Sequence, residues 1–595
     1  MLLRLLRNRF NALLCLASGL LTWQVAAQTP PAAASAPAGY YLRRLLVSDT
    51  EAKTLELLKS PDQGPLLVRD LPLLRSKEFS AVIDPFIGQP LTNDSLKRLV
   101  TAVATFYTRH DRPVVNIICP VQNPADINGG TYRLVVAVGH YSQLAVKGNR
   151  YFSTELLEAQ IGVKPGDEIR TSVLDQAVNW INANPFNSVQ IFVNTINKAP
   201  GTADLDVAVT DHFPARFTFS YDDTGNDIIG NNHYTAAVQY GNLWGLEHQA
   251  TYQFTTTGDI HTFQSHSFDY RAPLPWRAYV ELSLGYSVVQ PTFENGLFRE
   301  PGKDVIADLR YITPVNLGSW FCQWSAGIDY KQLDNSILFL ESDVTTYTAS
   351  NSIDSIAQFI GGANAVRHDP HGAWAFSLNG TASPGNFNGR NTNAIFGQPR
   401  YPAGYFNPDG SVNFLVAETE QVFGPPRTDA VARYLYGTFQ FQRLTTIPLG
   451  MQLYTRGLGQ ISSANLLGSE EMSIGGTATV RGYDERIESG DEGWVVSQEL
   501  QGPLWSKHLG FLAKKSPPLQ TRLLLFWDWG HVYSKIKEPG EDFGNKPLMS
   551  TGVGIRSALS TNFSLSADYG WQILETTNPV QPDHCRGDLS ASLSY

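Results

Sequence analysis

Apolar and polar residues alternate with a period of two along much of the chain after residue 213. From Phe563 to Trp571 every second residue is apolar, and serine, aspartate or glycine fills the positions in between. Similar alternation begins at Phe217 and at Val280, and glycine and asparagine recur between the stretches. Because successive side chains of a β-strand point to opposite faces, each stretch predicts a strand with one apolar and one polar face.

These strands predict an all-β transmembrane barrel over residues 213–595. A lipid bilayer offers no water to strand edges, so strands that cross it must close into a ring. At about 24 residues for each strand and its connection, the region holds about 16 antiparallel strands, within the even-numbered range of such barrels. The final stretch, from Asp588, keeps the alternation and ends on the aromatic Tyr595.

The N-terminal segment predicts export. Residues 1–27 contain three arginines, an apolar stretch and small residues before Gln28, which is the pattern of a signal peptide. Residues 28–61 are predicted to hold a tether, rich in proline and alanine over 28–39, and a possible N-terminal helix at 40–59. No apolar run outside the signal is long enough for a transmembrane helix.

Two small α/β units are predicted between the tether and the barrel, at residues 62–140 and 141–212. In the first unit, Leu99 and Val103 belong to an apolar stripe with helical spacing. In the second, Ser153 is placed to cap a helix. Strands are predicted at 66–68, 114–118, 132–138, 143–146, 189–194 and 203–210, and helices at 94–107, 153–160 and 171–182.

A glycine-rich stretch near residue 480 carries one arginine that needs a partner. Gly475, Gly476 and Gly482 permit positive φ angles and close approach of the backbone, so the stretch predicts a tightly folded loop. The first acidic residue after Arg481 is Asp484. If the Arg481 guanidinium is buried, it requires a partner from another part of the chain, because an unpaired buried charge is costly.

The predicted partner is Asp528, in the strand-like stretch 523–530. With a period of two, the leucines at 523 and 525 and the tryptophans at 527 and 529 share one face, and Phe526 and Asp528 lie on the other. Either stretch alone is also compatible with a soluble hairpin that carries a surface arginine. The two stretches together, in a chain of amphipathic strands, favour a lipid-facing outer wall and a polar inner wall.

The two stretches resemble the Val-Arg-Gly-Tyr loop motif and the Phe-x-Asp-x-Gly strand motif of outer-membrane barrels that carry POTRA (polypeptide-transport-associated) domains. The matching residues are Val480, Arg481, Gly482 and Tyr483 in the loop and Phe526, Asp528 and Gly530 in the barrel wall. The resemblance implies that the loop folds inward and that Arg481 meets Asp528. It implies that Phe526 and Tyr483 pack this contact. Gly482 and Gly530 would let the two backbones approach.

The number of α/β units narrows the resemblance to two-partner secretion transporters of the haemolysin secretion/activation type, which carry two POTRA domains. Pro120 and Gln122 resemble a connection in the first domain of that family, and Lys147-Gly148-Asn149 resembles one in the second. The resemblance implies a protein of the Gram-negative outer membrane that exports a partner of the haemolysin or adhesin type. The passenger is expected to bind as an added strand on an exposed POTRA edge, at 189–194 or 203–210.

Several implications of the resemblance stay open at this point. Residues 40–59 either plug the barrel, as a helix does in this family, or pack on the next domain. The terminal aromatic strand resembles the signal that the barrel-assembly machinery reads when it inserts a barrel into outer-membrane lipid. An assembly or insertion factor for other outer-membrane proteins is the first alternative function. A passive porin or structural barrel is an alternative of another class.

The sequence predicts no enzyme and no catalytic residues. Patterns of serine hydrolases and of phosphate-binding loops are absent, and the histidines have no metal-ligand spacing, so no cofactor or metal is expected. The formal net charge of −10 argues against a nucleic-acid partner. Cys119, Cys322 and Cys585 are widely separated and predict neither a metal site nor a disulfide framework.

Overall fold

The computed structural model describes residues 40–62, 64–196, 198–225, 230–290, 292–293, 298–299, 302–334, 337–340, 346–350, 353–387, 391–393, 430–508, 517–535, 547–575 and 584–595. The signal peptide predicted at 1–27 and the proline-rich tether lie outside these ranges. The chain divides into two compact units, Met1–Phe213 and Pro214–Tyr595.

The first sheet of the N-terminal unit has the strand order β2-β1-β4-β3. Its strands are Arg44–Ser48 (β1), Leu66–Arg69 (β2), Val115–Ile118 (β3) and Thr131–Val138 (β4). The accompanying helices are Glu51–Leu58 (α1), Lys77–Ile83 (α2), Asn93–Arg109 (α3) and Pro124–Asn128 (α4), with 3-10 turns at Pro72–Arg75 and Asp84–Phe86. Helix α3, predicted at 94–107, begins with a capping box between Thr92 and Ser95 and buries Leu99, Val103 and Phe106.

The helix predicted at 40–59 is wrong in its first half. Arg44–Ser48 is strand β1, which pairs in parallel with both β2 and β4 and buries Leu45, Leu46 and Val47 completely. A strand buried on both faces carries a continuous apolar run, which hydrophobic periodicity does not distinguish from a buried helix. Helix α1 packs on the same sheet. The segment therefore packs within this module, and the module start predicted at residue 62 is too late.

The second sheet has the order β5-β7-β6, formed by His140–Lys147 (β5), Asn187–Asn194 (β6) and Thr202–Asp211 (β7). Its helices are Thr154–Ile161 (α5), capped by Ser153, and Thr171–Ile181 (α6). Of the two strands expected at an edge, β6 is one, but β7 is central and pairs with β5 and β6. The alternation along a strand shows which face it buries, not how many neighbours it has. None of the described helices is long and apolar enough to cross a membrane.

Charged contacts join the two α/β modules of the N-terminal unit. Arg112 Nε donates to Glu168 Oε1 at 2.7 Å, and Asp111 Oδ1 accepts a hydrogen bond from the Ser172 backbone N–H at 2.6 Å. Burial alone would raise the pKa of the Glu168 carboxyl, but hydrogen bonds from Arg112 and Arg170 hold that pKa below its usual range. Glu168 therefore stays ionised at neutral pH, and the junction keeps its ion pair with Arg112.

The described residues of the C-terminal unit form a closed barrel of 16 antiparallel strands. The strands of the unit are Ala215–Asp222 (β8), His233–Leu243 (β9), His248–Thr256 (β10), Phe263–Pro273 (β11), Tyr279–Val289 (β12), Thr292–Phe293 (β13), Phe298–Arg299 (β14), Gly302–Leu317 (β15), Trp320–Asp334 (β16), Ile337–Leu340 (β17), Thr346–Ser350 (β18), Ile353–Asp369 (β19), Gly372–Pro384 (β20), Arg433–Thr446 (β21), Gln452–Ser462 (β22), Met472–Ile474 (β23), Glu488–Gly490 (β24), Glu492–Gln501 (β25), Trp505–Lys507 (β26), Leu519–Tyr533 (β27), Pro547–Leu559 (β28), Phe563–Gln572 (β29) and Cys585–Ser594 (β30). A 3-10 turn lies at Pro448–Gly450. Strands β13, β14, β17 and β18 form a separate sheet, and β23 pairs with β24.

The barrel confirms the predicted fold and the predicted alternation. Strand β30 pairs with β8 to close the ring, and the short β26 pairs with the same strand, β27, as β25 does. Phe219 on β8 and Trp571 on β29 are exposed on the outside, whereas Asp528 on β27 and Ser550 on β28 are fully buried on the inside. The wall therefore presents apolar side chains outward and polar side chains inward, as a barrel in lipid requires.

Candidate functional site

Residues 463–491, between β22 and β25, fold against the inner wall of the barrel, and we call them the inward loop. Gly475, Gly476 and Gly482 have φ angles of 106°, 84° and 87°, as the sequence predicts for a tight loop. A Cβ atom on Gly476 would lie 2.0 Å from the Glu485 carboxylate. That carboxylate accepts hydrogen bonds from the Thr477 backbone N–H at 2.7 Å and hydroxyl at 2.8 Å. The loop is therefore closed by its own polar contacts.

Arg481 of the inward loop lies against Asp528 of β27, as the resemblance implies. Arg481 Nε donates to Asp528 Oδ2 at 2.7 Å, and Nη2 donates to Oδ1 at 2.9 Å. The Arg481 backbone N–H also donates to Oδ2, at 3.2 Å. The side chains are 5% and 0% exposed. A bidentate contact of this kind fixes both the position and the orientation of the guanidinium.

A second carboxylate, which the sequence reasoning missed, completes the surroundings of Arg481. Arg481 Nη1 donates to Glu499 Oε1 at 2.7 Å, and Nη2 donates to Ser497 Oγ at 3.3 Å. Both partners lie on β25, where the register places Ser497 opposite Asp528. The available signal was the alternation in 492–501, which puts Ser497 and Glu499 on the inner face. The wall therefore offers Arg481 a prepared anionic socket.

Arg556 of β28 balances the negative charge of this socket. Its Nη2 lies 2.7 Å from Asp568 Oδ2 on β29 and 3.7 Å from Glu499 Oε1. Asp568 is also 3.7 Å from Arg481. Two arginines thus face three carboxylates, because Asp528 belongs to the same group. Such a network leaves no cation or anion of the group without an opposite charge.

Phe526 packs the ion pair from one side, as expected. The guanidinium carbon of Arg481 lies 3.6 Å from the centre of the Phe526 ring, within the range of a cation–π contact. Gly552 lies opposite Phe526 on β28, and a Cβ there would be 2.3 Å from the ring. The wall thus makes room for the aromatic side chain by having no side chain at Gly552.

Tyr483, which the resemblance places beside the ion pair, contributes its ring to an apolar cluster. The chain turns at Gly482, and Tyr483 joins Val480 in a buried apolar cluster of the loop and the wall. Its hydroxyl lies 2.8 Å from the Met549 carbonyl oxygen and 2.5 Å from that of Leu574. Tyr483 therefore anchors the inward loop to the beginning of β28, beside the Arg481 site.

Gly482 and Gly530 lie where the inward loop and the wall come close together. A Cβ on Gly482 would lie 2.9 Å from the Gly570 carbonyl carbon on β29. A Cβ on Gly530 would lie 3.0 Å from Val480 Cγ2. The loop therefore contacts β29 through a glycine pair and β27 through Val480.

Arg586 ties the inward loop to the strand that closes the barrel. Its Nη1 lies 2.5 Å from Asp484 Oδ1, and its Nε lies 2.9 Å from Asp588 Oδ1 on β30. Arg586 Nη2 also donates to the carbonyl oxygen of Asp223, just after β8, at 3.2 Å. The loop tip therefore contacts the last strand and, through Arg586, the end of the first.

Replacing Tyr483 with phenylalanine should loosen the inward loop without unfolding the barrel. The change leaves the carbonyl oxygens of Met549 and Leu574 without this hydroxyl, and a typical hydrogen bond contributes about 0.5–1.5 kcal/mol. We expect faster proteolytic cleavage within the loop and an unchanged heat-modifiable barrel on gels. Tyr252→Phe, at an exposed hydroxyl on β10, is the control. Equal cleavage rates for Tyr483→Phe and the wild type would contradict this anchoring role.

The described part of the chain contains no group of three or more histidine, cysteine, aspartate or glutamate side chains arranged to hold a metal ion. Cys119, Cys322 and Cys585 are free cysteines. The contacts seen at the inward loop are ion pairs, hydrogen bonds and apolar packing, which can hold or release a segment of the chain.

Comparison with known proteins finds a family model and several relatives that resemble this chain. A family model described as haemolysin secretion/activation protein ShlB/FhaC/HecB matches residues 408–557. Heme/hemopexin transporter protein HuxB of Haemophilus influenzae (strain 86-028NP) is 19% identical over 536 residues, covering 89% of this chain and 86% of the relative. The chain is similar to the haemolysin secretion/activation proteins.

Two further comparisons point to the same kind of transporter. Outer membrane transporter CdiB of Dickeya dadantii (strain 3937) is 20% identical over 516 residues, covering 84% of this chain and 81% of the relative. In fold, the chain matches CdiB from Escherichia coli with a TM-score of 0.69 and 16% identity, covering 100% of this chain and 98% of that chain. The chain is an outer-membrane transporter of the two-partner secretion type, which confirms the predicted resemblance, function and location.

Proposed function

We propose that this transporter captures its unfolded passenger on the free part of strand β6 and passes it through the barrel that the inward loop controls. The observation that carries the first step is the backbone of β6, which towards its end is paired on one side only among the described residues. The family and its relatives support a passenger of the haemolysin or adhesin type. They favour secretion over the two alternatives, an assembly factor and a passive porin. The terminal strand β30 would carry the signal for insertion by the barrel-assembly machinery.

The outer edge of β6 is occupied at its beginning and free towards its end. Val189 directs its backbone groups away from β7, because its N–H donates to Asn182 Oδ1 at 2.7 Å and its carbonyl accepts from Asn182 Nδ2 at 3.3 Å. In an antiparallel pair the outward groups recur at every second residue, so Ile191 and Val193 also face outward. In the described residues no partner is recorded for these outward groups. An extended passenger segment can pair with them.

The opposite edge of this sheet, β5, is a poorer site for a passenger strand. The Tyr141 backbone N–H donates to the Asp167 carbonyl at 2.9 Å, and the Gly166 N–H donates to the Tyr141 carbonyl at 2.8 Å. The Ile169 N–H donates to the Gly139 carbonyl at 2.8 Å, so residues 166–169 cover the beginning of β5. Of the two edges, β6 is therefore the one with a free backbone and an available approach.

An exposed aromatic side chain on β6 gives the site an apolar anchor. Phe192 is 53% exposed, and Ile196, just beyond the strand, is 74% exposed. Opposite Phe192 the register places Asp206 of β7, whose Oδ1 lies 3.5 Å from Lys147 Nζ. A passenger strand that pairs with β6 would thus meet backbone groups along its length and an aromatic ring beside them. Unfolded amphipathic segments offer the matching chemistry.

Val193→Pro in the full-length transporter tests this site. Proline removes the outward N–H and is tolerated at sheet edges, so the module should stay folded while the passenger loses a hydrogen bond. We expect the N-terminal domain of the exported partner to bind the variant about tenfold more weakly, the effect of roughly 1.4 kcal/mol. Val193→Ala, which keeps the N–H, is the matched control and should bind normally. Wild-type affinity for Val193→Pro would rule out capture on β6.

A further inference from the structure

A second buried charge of the inward loop, Glu470, lies well away from the Arg481 socket. Its side chain is fully buried. Lys331 Nζ on β16 lies 2.7 Å from Glu470 Oε1, and Tyr436 of β21 donates to Oε2 at 2.8 Å. Gln358 Nε2 of β19 also donates to Oε2, at 3.3 Å. Three different wall strands thus converge on one loop carboxylate.

The charged contacts of the inward loop, from Glu470 to Asp484 at its tip, extend to opposite sides of the barrel. Counted in chain order, with β26 taken as part of β25, β16 and β19 are the seventh and eighth wall strands and β29 and β30 the fifteenth and sixteenth. Glu470 contacts β16, β19 and β21, whereas Arg481 pairs with β25 and β27, the twelfth and thirteenth strands. Asp484, at the loop tip, contacts Arg586 on β30. Strands eight positions apart face each other in a ring of 16. The inward loop therefore bridges the lumen from wall to wall.

The Glu470 and Arg481 contacts differ in how well the remaining wall residues are paired after the loop residue leaves. If Glu470 leaves the wall, Lys331 keeps Asp329 at 3.4 Å, and Gln358 keeps its 2.8 Å hydrogen bond to the same carboxylate. If Arg481 leaves, the fully buried Asp528 loses its bidentate partner. An orphaned buried charge is costly, so the Glu470 end separates more readily than the Arg481 end.

Lysine also makes a weaker clamp than arginine in this arrangement. Lys331 is 19% exposed and offers a hydrated point charge, whereas the Arg481 fork is 5% exposed and is held in two directions at once. The Arg481 end is further fixed by the contact between Gly482 and Gly570. The Arg481 end has the properties of a pivot, and the Glu470 end those of a releasable contact.

We propose that Glu470 is a second positioning residue for transport, which holds the loop across the lumen and keeps the pore narrow until the loop turns about its Arg481 end. The proposal rests on the passage of a passenger through the barrel, but its test needs no passenger. Its consequence is a pore whose closed state depends on the pair formed by Glu470 and Lys331.

The test is single-channel recording of the purified full-length transporter in planar lipid bilayers, with potassium chloride as the only permeant salt. Glu470→Gln removes the charge and keeps the size of the side chain. We expect the fraction of time spent in the wide, high-conductance state to rise about tenfold, the shift produced by losing one charge-assisted contact in a two-state equilibrium. Glu471→Gln is the matched control, since Glu471 accepts a hydrogen bond from Ser489 of the same loop. It should behave as the wild type does.

A cycle of variants separates a positioning role from a merely structural one. Lys331→Met should open the pore as Glu470→Gln does, and the double variant should open it no further, because both changes break one contact. Heat modifiability reports whether each barrel is folded. Folded Glu470→Gln and Lys331→Met barrels with the conductance of the wild type would overturn the proposal. If the variants show the expected conductance changes and capture the passenger normally but do not secrete it, only the proposed function is contradicted.

Discussion

Replacing Arg481 with alanine should reduce secretion of the passenger by about a hundredfold to a few thousandfold while the barrel still inserts into the outer membrane, if the loss of about 3–5 kcal/mol at a buried pair appears fully in transport. The change leaves Asp528 and Glu499 without the cation they share, and Asp528 is fully buried. The loop would leave the wall, whereas the strand ladders that close the barrel do not involve Arg481. The measurement is secreted passenger divided by the amount of heat-modifiable transporter in the outer membrane.

Asp528→Ala should have a smaller effect than Arg481→Ala. After this change Arg481 still has Glu499 at 2.7 Å and Asp568 at 3.7 Å, so the cation is not left alone. A charge-swapped double variant should recover little secretion. An aspartate at 481 would face the carboxylates of Glu499 and Asp568. An arginine at 528, on the wall, could not reproduce the bidentate contact that Arg481 makes from the loop. Secretion is therefore expected to be highest for the wild type, lower for Asp528→Ala and lowest for Arg481→Ala.

Arg443 provides a chemically matched control on the barrel wall. Its Nη1 lies 2.6 Å from Asp369 Oδ2, and its guanidinium carbon lies 4.6 Å from the centre of the Trp374 ring. This is also an arginine held by an aspartate and an aromatic, but it joins β21 to β19 and β20 and does not belong to the loop. Arg443→Ala should leave secretion nearly normal. Normal secretion by Arg481→Ala would show that the inward loop is not the functional centre.

The sequence carries enough information to join Arg481 with Asp528 but not to describe their surroundings. Each residue has no opposite charge beside it in the chain, and period two places Asp528 on an inner face. The contribution of Glu499 depends on the register between β25 and β27, which is set across the barrel rather than within either strand. The pairing was therefore predictable, and the network around it was not.

The errors in the N-terminal modules have the same physical origin. Strand β1 was mistaken for a helix because a continuous apolar run reports burial and not backbone conformation. Strand β7 was expected at an edge, although its alternation is the same whether one neighbour or two pair with it. Glu470 gave no signal in the sequence, because its partners on β16, β19 and β21 are brought to it only when the barrel closes. The order of strands across a sheet depends on contacts between residues that are far apart in the sequence.

Gly570→Ala should impair secretion by inserting a single methyl group between the wall and the inward loop. A Cβ at this position would lie 2.7 Å from the Gly482 nitrogen, 2.8 Å from its Cα and 3.0 Å from the carbonyl carbon of Arg481. The φ angle of Gly570 is not in the left-handed region, so alanine fits the strand and the effect is steric. The loop must therefore shift away from β29 at Arg481, whose guanidinium makes the bidentate contact with Asp528.

We expect Gly570→Ala to lower secretion about tenfold and Gly570→Val to lower it further, since overpacking costs about 1–3 kcal/mol and 1.4 kcal/mol corresponds to a factor of ten. Gly380→Ala on β20 is the control, because no atom lies within 4 Å of the added Cβ there. Secretion and outer-membrane level are measured together for each variant. If the two Gly570 variants secrete as well as Gly380→Ala, close contact between β29 and the loop does not position Arg481, and the bidentate pair alone must hold it.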